Sequence, residues 1–436
     1  MQTTNQHFDV IISGGGLSGS LMALSLSKLT KADGCLLSIA IIETLLVNQA
    51  SPADENALFD GRVLALSHGS ANYLAKLGVW QHLKNDACAI TDIDISDRGH
   101  FAKARLTAKE FRVNALGYVI DMARIGKAQL KALAQNTKDN VHWFSPDSIV
   151  DIHWQDQDEN SIDKSQVKVS LKSGKTLSAQ LLLGCDGVQS PVRKLANIEV
   201  SCDDYQQVAL IANVSTSKAH HNKAFERFTE QGPIAMLPLT PVQPSTQSAI
   251  ESLKANTSSS TAGVSRCSLV WTMTPEQAQE INKLDDEAFK IELERAFGSY
   301  LGAITHVGKR DTFPLVLLQA QRQTYFRMAL IGNASHTIHP IAGQGFNLGL
   351  RDVEVMADLV SKALAAEQDI GNFGLLHAYQ VNRTKDQRQV IQLTDSLVTL
   401  FANDLPPLVL GRNIALQALN YLTPLKKALV KKTMGY

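Results

Sequence analysis

The sequence predicts an α/β chain: a nucleotide-binding domain on a parallel sheet, with an antiparallel-sheet domain inserted into it. Three observations carry this prediction. A strand–glycine–helix–strand run opens the chain, alternating strand patterns fill its middle, and helix–strand texture returns after Pro314. With 436 residues the chain can bury more than one core, so two domains are expected.

The elements follow in order. "FDVIIS" (Phe8–Ser13) is a short apolar run that stops at three glycines, "LSGSLMALSLSKLT" is compatible with a helix, and "SIAIIE" is a second buried-strand pattern closed by Glu43. Together they form a βαβ unit. "VKVSLKSGKTL" alternates around a Ser-Gly turn and predicts a hairpin, and the apolar run "LLLGCDG" follows it. Between Tyr205 and Pro314, "FERFTEQGPIAMLPL" and "RCSLVWTM" predict strands of a sheet with one solvated face. Thr240–Ser265, rich in Ser, Thr and Ala, reads as a mobile surface insertion between two of these strands. "YFRMALIG" then predicts a strand and Phe346 onward a long helix.

The expected division is therefore discontinuous. Residues 1–90, 120–204 and 315–400 form the nucleotide-binding domain. Residues 91–119 and 205–314 form the substrate domain, with the insertion at 240–265, and 401–436 form a C-terminal helical segment. No internal repeat is visible.

Forty-two basic residues balance forty-two acidic ones, so no global field favours nucleic acid as a partner. Five scattered cysteines without a CxxC pair argue against a disulfide framework or a zinc site and for a reducing compartment. The start lacks a basic, cleavable apolar leader, and no run of eighteen apolar residues exists. A cytoplasmic location is expected, with peripheral contact at the inner face of the membrane.

Gly14, Gly16 and Gly19 fit G-x-G-x-x-G between a strand and a helix. That chemistry needs glycine for a tight turn, for close approach of a pyrophosphate and for packing of helix on strand; the helix N-terminus then offers unpaired N–H groups to the phosphates. Glu43 stands where a ribose-binding carboxylate belongs, so the unit reads as Rossmann-like. The motif alone does not separate FAD from NAD. A second cluster, "LLLGCDGVQSPVRKLA", places Asp186-Gly187 at a strand end with Ser190 and Arg193 after it. A third, "IGNASHTIHPIAGQGFNLGLRD", gathers Gly332, Asn333, His336, Pro340, Gly343, Gln344, Gly345 and Asn347. His336 and His339 lack a third ligand at helical spacing and Pro340 follows directly, so no metal is expected. Both histidines read as shaping the turn. Ser335 lacks a nucleophile elbow.

In this order and spacing the three motifs resemble those of the class A flavin-dependent aromatic hydroxylases, over essentially the whole chain. "FDGRVLALSHGSANYLAKLGVW" is similar to the Asp-Gly-Arg segment of the ubiquinone-pathway members. The resemblance implies the aromatic hydroxylase fold, with FAD as cofactor and NADH or NADPH as a transient reductant. It also implies that Arg62 contacts FAD, that Asp186-Gly187 serves FAD and the nicotinamide nucleotide, and that Asn333 replaces the family's ribityl-binding Asp. Asn keeps an acceptor oxygen but loses the charge, so that contact is expected to be weaker. The implied reaction uses O₂, through a flavin C4a-hydroperoxide, to hydroxylate the ring of a polyprenylated phenol, with 2-octaprenyl-6-methoxyphenol the expected substrate. A sister hydroxylase acting at another ring carbon and a flavoprotein prenyl reductase are the alternatives. No catalytic base is assigned. The C-terminal "NIALQALNYLTPLKKALVKKTM", with Lys426, Lys427, Lys431 and Lys432, reads either as docking a membrane or partner protein, or as a helix packed on its own core with a solvated basic tip.

Overall fold

The computed structural model describes residues 5–47, 62–97, 103–137, 139–154, 166–241, 265–338 and 343–401, with Lys426 and Met434. Most of the 240–265 insertion, His339, Pro340 and most of the C-terminal segment lie outside the described residues.

Two large sheets organise the described residues. In the first, the strands Met328–Leu330, Thr176–Gly184, Asn5–Ser13, Ile39–Ile42 and Val141–Phe144 lie side by side and parallel. Both of its faces are covered, which is why these strands read as continuous apolar runs. Val10, Ile12, Ile41, Leu181 and Leu183 pack toward the helices Leu17–Leu26, Met122–Asn136 and Gln344–Ala365. Ile11, Ile42 and Leu182 pack the other way, with Val167, Val169 and Val192. The hairpin predicted around the Ser-Gly turn is present: Val167–Leu171 pairs antiparallel with Thr176–Gly184, and Gly174 takes φ +85°.

The second sheet is mostly antiparallel and runs through Asp311–Ala320, Val200–Thr216, Ser265–Met273, Gly232–Leu239, Lys223–Thr229, Asp92–Asp97 and Lys103–Thr107. Its two longest strands cross the boundaries expected at 204/205 and 314/315, because each is one unbroken strand that begins on one side and ends on the other. The side-chain alternation is strict. Ile234, Met236, Cys267, Leu269 and Trp271 pack on the helices Pro275–Lys283 and Asp286–Phe297. The expected solvated face is instead turned inward onto a cavity, which explains why it carries so few charges. A small third sheet joins Val63–Ser67, Gly117–Asp121 and Cys88–Ile90.

"YFRMALIG" is not one strand. Thr324–Tyr325 turns back on Met328–Leu330, with Phe326 at φ +43°, a conformation that nothing in a phenylalanine announces.

Candidate active site

One cavity of about 800 Å³ lies between the C-terminal ends of the parallel strands and the inward face of the second sheet. Its first wall is built from the three sequence motifs. Gly14, Gly16, Glu43, Arg62, Asp186, Gly187, Gly332, Asn333, Gly343, Gln344, Gly345 and Asn347 all line it. Gly19 and Arg193 do not, and Pro340 lies outside the described residues.

The glycines of the first motif divide by task. Gly14 sits at φ +94°, and a Cβ there would stand 2.6 Å from the carbonyl oxygen of Cys185. A Cβ on Gly19 would collide with the carbonyl oxygen of Gly14, so this glycine serves the packing of helix on turn. A Cβ on Gly16 would meet no atom of the described residues within 4 Å and would project into open space beside the cavity. Gly16 caps the helix Leu17–Leu26 without a side-chain hydrogen bond, and the first turn holds no acid. Its terminal N–H groups therefore remain available to an anion.

Glu43 does more than the sequence suggests. Its Oε2 accepts from Gly15 N at 2.7 Å, and its Oε1 accepts from Leu45 N at 2.9 Å and Thr44 Oγ1 at 3.0 Å. The carboxylate first fixes the glycine turn; one acceptor position remains for a ligand hydroxyl. Asp186 Oδ2 accepts from Val192 N and Ser13 Oγ, while Oδ1 is buried without a partner. Burial pushes its pKa up, against the hydrogen bonds that lower it.

Two expected cofactor ligands are positioning residues. Arg193 donates to the carbonyls of Ala334 and Val188, both at 2.7 Å, and so ties the Asp-Gly turn to the Gly332–Ala334 turn. Asn347 uses its whole amide within the protein. Oδ1 accepts from Ser67 N and Ser70 Oγ, and Nδ2 donates to the carbonyls of Ala65 and Gly343. It locks the Gly343 turn, itself at φ +63°, onto the strand Val63–Ser67. Asn347→Ala leaves the Ser67 N–H buried without that acceptor. A loss of about 1–3 kcal/mol in stability is expected, read from urea unfolding of the flavin-loaded protein.

Asn333 is exposed toward the cavity on the turn Gly332–Ala334. Beneath that turn lies a buried polar network that the sequence reading missed. Asp352 Oδ2 accepts from Gly332 N at 2.8 Å, and its Oδ1 accepts from Arg383 Nε at 2.6 Å. Arg383 also donates to Asp386 at 2.8 Å. His336 Nδ1 donates to the carbonyl of Gly332, and burial holds its pKa down, so the ring is neutral and shapes the turn as expected. The available signal was an acid on an apolar stripe: Leu348, Asp352, Met356 and Val360 share one helix face.

The second wall is apolar, formed by residues such as Ile93, Ile95, Leu106, Phe228, Leu237 and Val270. Met434 from the C-terminal segment joins it, its carbonyl accepting from Gly69 N. Lys426, read either as part of a docking surface or as part of a solvated basic tip, is buried and ion-paired with Glu110 at 2.6 Å. The C-terminal segment thus packs on this chain at Lys426 and at Met434.

The residues present fit a dinucleotide cofactor. Gly16 leaves open backbone at a free helix N-terminus, Asp186 Oδ1 is an orphaned acceptor, and the Gly343–Gly345 turn brings bare main chain to the same cavity. Fold and site together define an FAD-binding flavoprotein with an apolar chamber beside the cofactor wall. Comparison with known proteins agrees. Residues 7–394 match the family described as FAD binding domain. The ubiquinone hydroxylase UbiL of Rhodospirillum rubrum is 31% identical over 98% of this chain and 89% of its own length. The 3-demethoxyubiquinol 3-hydroxylase of Escherichia coli is 28% identical over 99% of this chain and 100% of its own. Among solved structures, p-nitrophenol 4-monooxygenase PnpA of Pseudomonas putida has the same fold, with a TM-score of 0.70 at 16% identity over 99% of each chain. The chain belongs to the FAD-binding ubiquinone hydroxylases and is an FAD-dependent monooxygenase; NADH or NADPH as reductant accords with that family.

Proposed function

We propose that this chain hydroxylates the aromatic ring of a polyprenylated phenol in ubiquinone biosynthesis, with 2-octaprenyl-6-methoxyphenol as the substrate. The observation that carries the reading is one cavity with two unlike walls. Bare glycine backbone and acceptor oxygens hold the cofactor on one side, and an apolar sheet face receives the substrate on the other. The names of the two relatives support a ring hydroxylation in that pathway. The stretches "ISDRGHF" and "AFERFTEQGPIAMLPL" resemble those of the ubiquinone-pathway hydroxylase that acts on the 6-methoxyphenol, and this resemblance supports that substrate over one hydroxylated at another ring carbon.

Bound FAD supplies the transfer of electrons from NAD(P)H to O₂, which is the demanding part of the chemistry. The chain supplies position and dryness. Gly14, Gly16 and the helix they open would hold the pyrophosphate of the cofactor, and Gly343–Gly345 with the helix behind them place backbone dipoles at another part of the cavity wall. Favourable charge–dipole interaction at such a terminus contributes about 0.3–2 kcal/mol to an anion. The apolar wall excludes water from the reacting ring.

An octaprenyl tail in water is unfavourable by roughly tens of kcal/mol. The substrate is therefore collected at the cytoplasmic face of a membrane or from a partner protein, and the enzyme acts peripherally there.

Turnover with ¹⁸O₂, NADH or NADPH and a short-chain 2-prenyl-6-methoxyphenol tests the reading. One labelled oxygen para to the phenolic hydroxyl is expected by mass spectrometry and NMR. A label at another carbon assigns the sister reaction. Flavin reduction with no oxygen in any product rejects hydroxylation and favours a prenyl reductase.

A further inference from the structure

Resting on that functional reading, we propose that Glu226 is the catalytic base that takes the proton from the substrate's phenolic hydroxyl. The argument begins with register. Lys223–Thr229 pairs with Gly232–Leu239 so that Glu226 stands opposite Ala235, which stands opposite Val270 on the next strand. On its other side Glu226 pairs with Ile95. Side chains on one face of a sheet form such cross-strand rows, so Glu226 occupies the middle of an apolar row that faces the cavity. Ile95, Glu226, Ala235 and Val270 all line it.

A carboxylate in the middle of an apolar wall is costly unless it meets a partner that arrives with the ligand. Among the described cavity residues from this sheet, Glu226 is the one ionisable side chain. Its neighbour Ala235 is small and leaves room for a ring beside it. A second polar atom points the same way: Ser268 Oγ, one row along, lines the cavity, is fully buried and has no hydrogen-bond partner. An aromatic hydroxyl beside Glu226 gains an acceptor, and Ser268 offers its O–H to a second oxygen of the same ligand.

The electrostatics agree. Burial pushes Glu226 up to about 7, and no charged neighbour contributes to the shift. On the same sheet face the nearest ionisable group is Asp97, two residues along from Ile95 and in register with Phe228; further off lie Arg266, two residues before Ser268, Asp311 opposite Ile211, and His306 opposite Ser215. Lys223 and Arg227 belong to the opposite face by alternation. Across the cavity the charged lining residues are Glu43, Arg62, Asp147 and Asp186. A base near neutral pH is stronger than an ordinary carboxylate, and this suits proton removal from a phenol.

The step balances. The O–H bond breaks, its electron pair stays on the phenolic oxygen, and the proton moves to Glu226. The electron-rich ring then forms its new C–O bond at the para carbon as the O–O bond breaks, with O₂ having taken two electrons from NAD(P)H, and the second oxygen atom leaves as water. When that carbon loses its hydrogen, the ring carbonyl takes the proton back from Glu226 and the hydroquinone forms.

The experiment measures kcat/KM for hydroxylation of a short-chain 2-prenyl-6-methoxyphenol against pH, in FAD-loaded wild type, Glu226→Gln and Glu226→Asp. In the wild type the rate falls below pH about 7, because the base is lost as it protonates. Glu226→Gln is expected to lose about 100-fold or more and to lack that limb. It should recover toward alkaline pH, where the substrate ionises unaided. Glu226→Asp keeps the limb at a reduced rate. A Gln variant with wild-type rate and an unchanged acidic limb overturns the assignment.

A measurement without turnover separates this inference from the functional reading. The probe is 2-methoxy-4-nitrophenol, blocked at the para carbon and coloured as its phenolate. Bound to wild type just below its own pKa, it is expected to show the phenolate spectrum, and bound to Glu226→Gln the neutral one. A neutral spectrum in wild type overturns the role of Glu226. Failure of wild type to hydroxylate the prenyl phenol overturns the functional reading instead, and the probe alone then judges Glu226.

Discussion

Asp352→Ala is expected to lower the unfolding free energy by about 3–5 kcal/mol and to weaken flavin retention with it. The size follows from burial. Asp352 has no solvent exposure, and its partner Arg383 is 2% exposed. Burial alone would lower the pKa of Arg383, yet Asp352 and Asp386 raise it on balance, so the guanidinium stays charged inside the protein. Removing Asp352 leaves that charge with Asp386 as its remaining carboxylate. It also leaves Gly332 N without its acceptor, at a turn that takes φ +61° and borders the cavity. Urea unfolding of the flavin-loaded single and double variants measures the effect. Asp352→Leu combined with Arg383→Met should recover much of the loss, because an apolar pair removes both stranded charges. A loss below about 1 kcal/mol for Asp352→Ala would mean that the pair carries no weight in the fold.

The cofactor wall was legible in the sequence because its demands are local. A glycine needed for positive φ or for close backbone approach leaves its mark at its own position, as Gly14, Gly332 and Gly343 do. Arg193 and Asn347 show the limit of that reading. Each sits inside a motif, but what its side chain grips comes from distant segments: Ala334 for Arg193, and Ala65, Ser67 and Ser70 for Asn347. No spacing rule along the chain contains those contacts. Glu226 fails to show for a related reason. The stretch "FERFTEQGPIAMLPL" reads as strands, but whether the face that carries Glu226 and Phe228 meets solvent or a cavity depends on what covers the sheet. That covering comes from the parallel-sheet half of the protein, far along the chain. The turn at Phe326 had no local signal at all, since a bulky residue at positive φ is set by its surroundings.

Gly16→Ala and Gly19→Ala should part company, and their difference locates the cofactor. Both change a glycine of one motif by one methyl group. At Gly19 the methyl meets the carbonyl oxygen of Gly14, which is backbone in a constrained turn and cannot rotate away. Strand, turn and helix must separate, so flavin-free Gly19→Ala is expected to lose about 3 kcal/mol or more. At Gly16 the backbone lies at φ −64°, open to any residue, and the methyl meets no atom of the described residues within 4 Å. Flavin-free Gly16→Ala should therefore unfold within about 0.5 kcal/mol of wild type. Its FAD affinity is nonetheless expected to fall about 100-fold or more, because the space the methyl enters is where the pyrophosphate approaches the helix N-terminus. Urea unfolding of the flavin-stripped proteins and FAD titration by fluorescence read the two quantities separately. If Gly16→Ala binds FAD as tightly as wild type, the pyrophosphate does not rest on this turn. A common loss of stability in both variants would show that the first glycine motif is a packing device throughout. Loss of affinity without loss of stability at Gly16 has no such explanation, since none of the described residues reaches the space its side chain would fill.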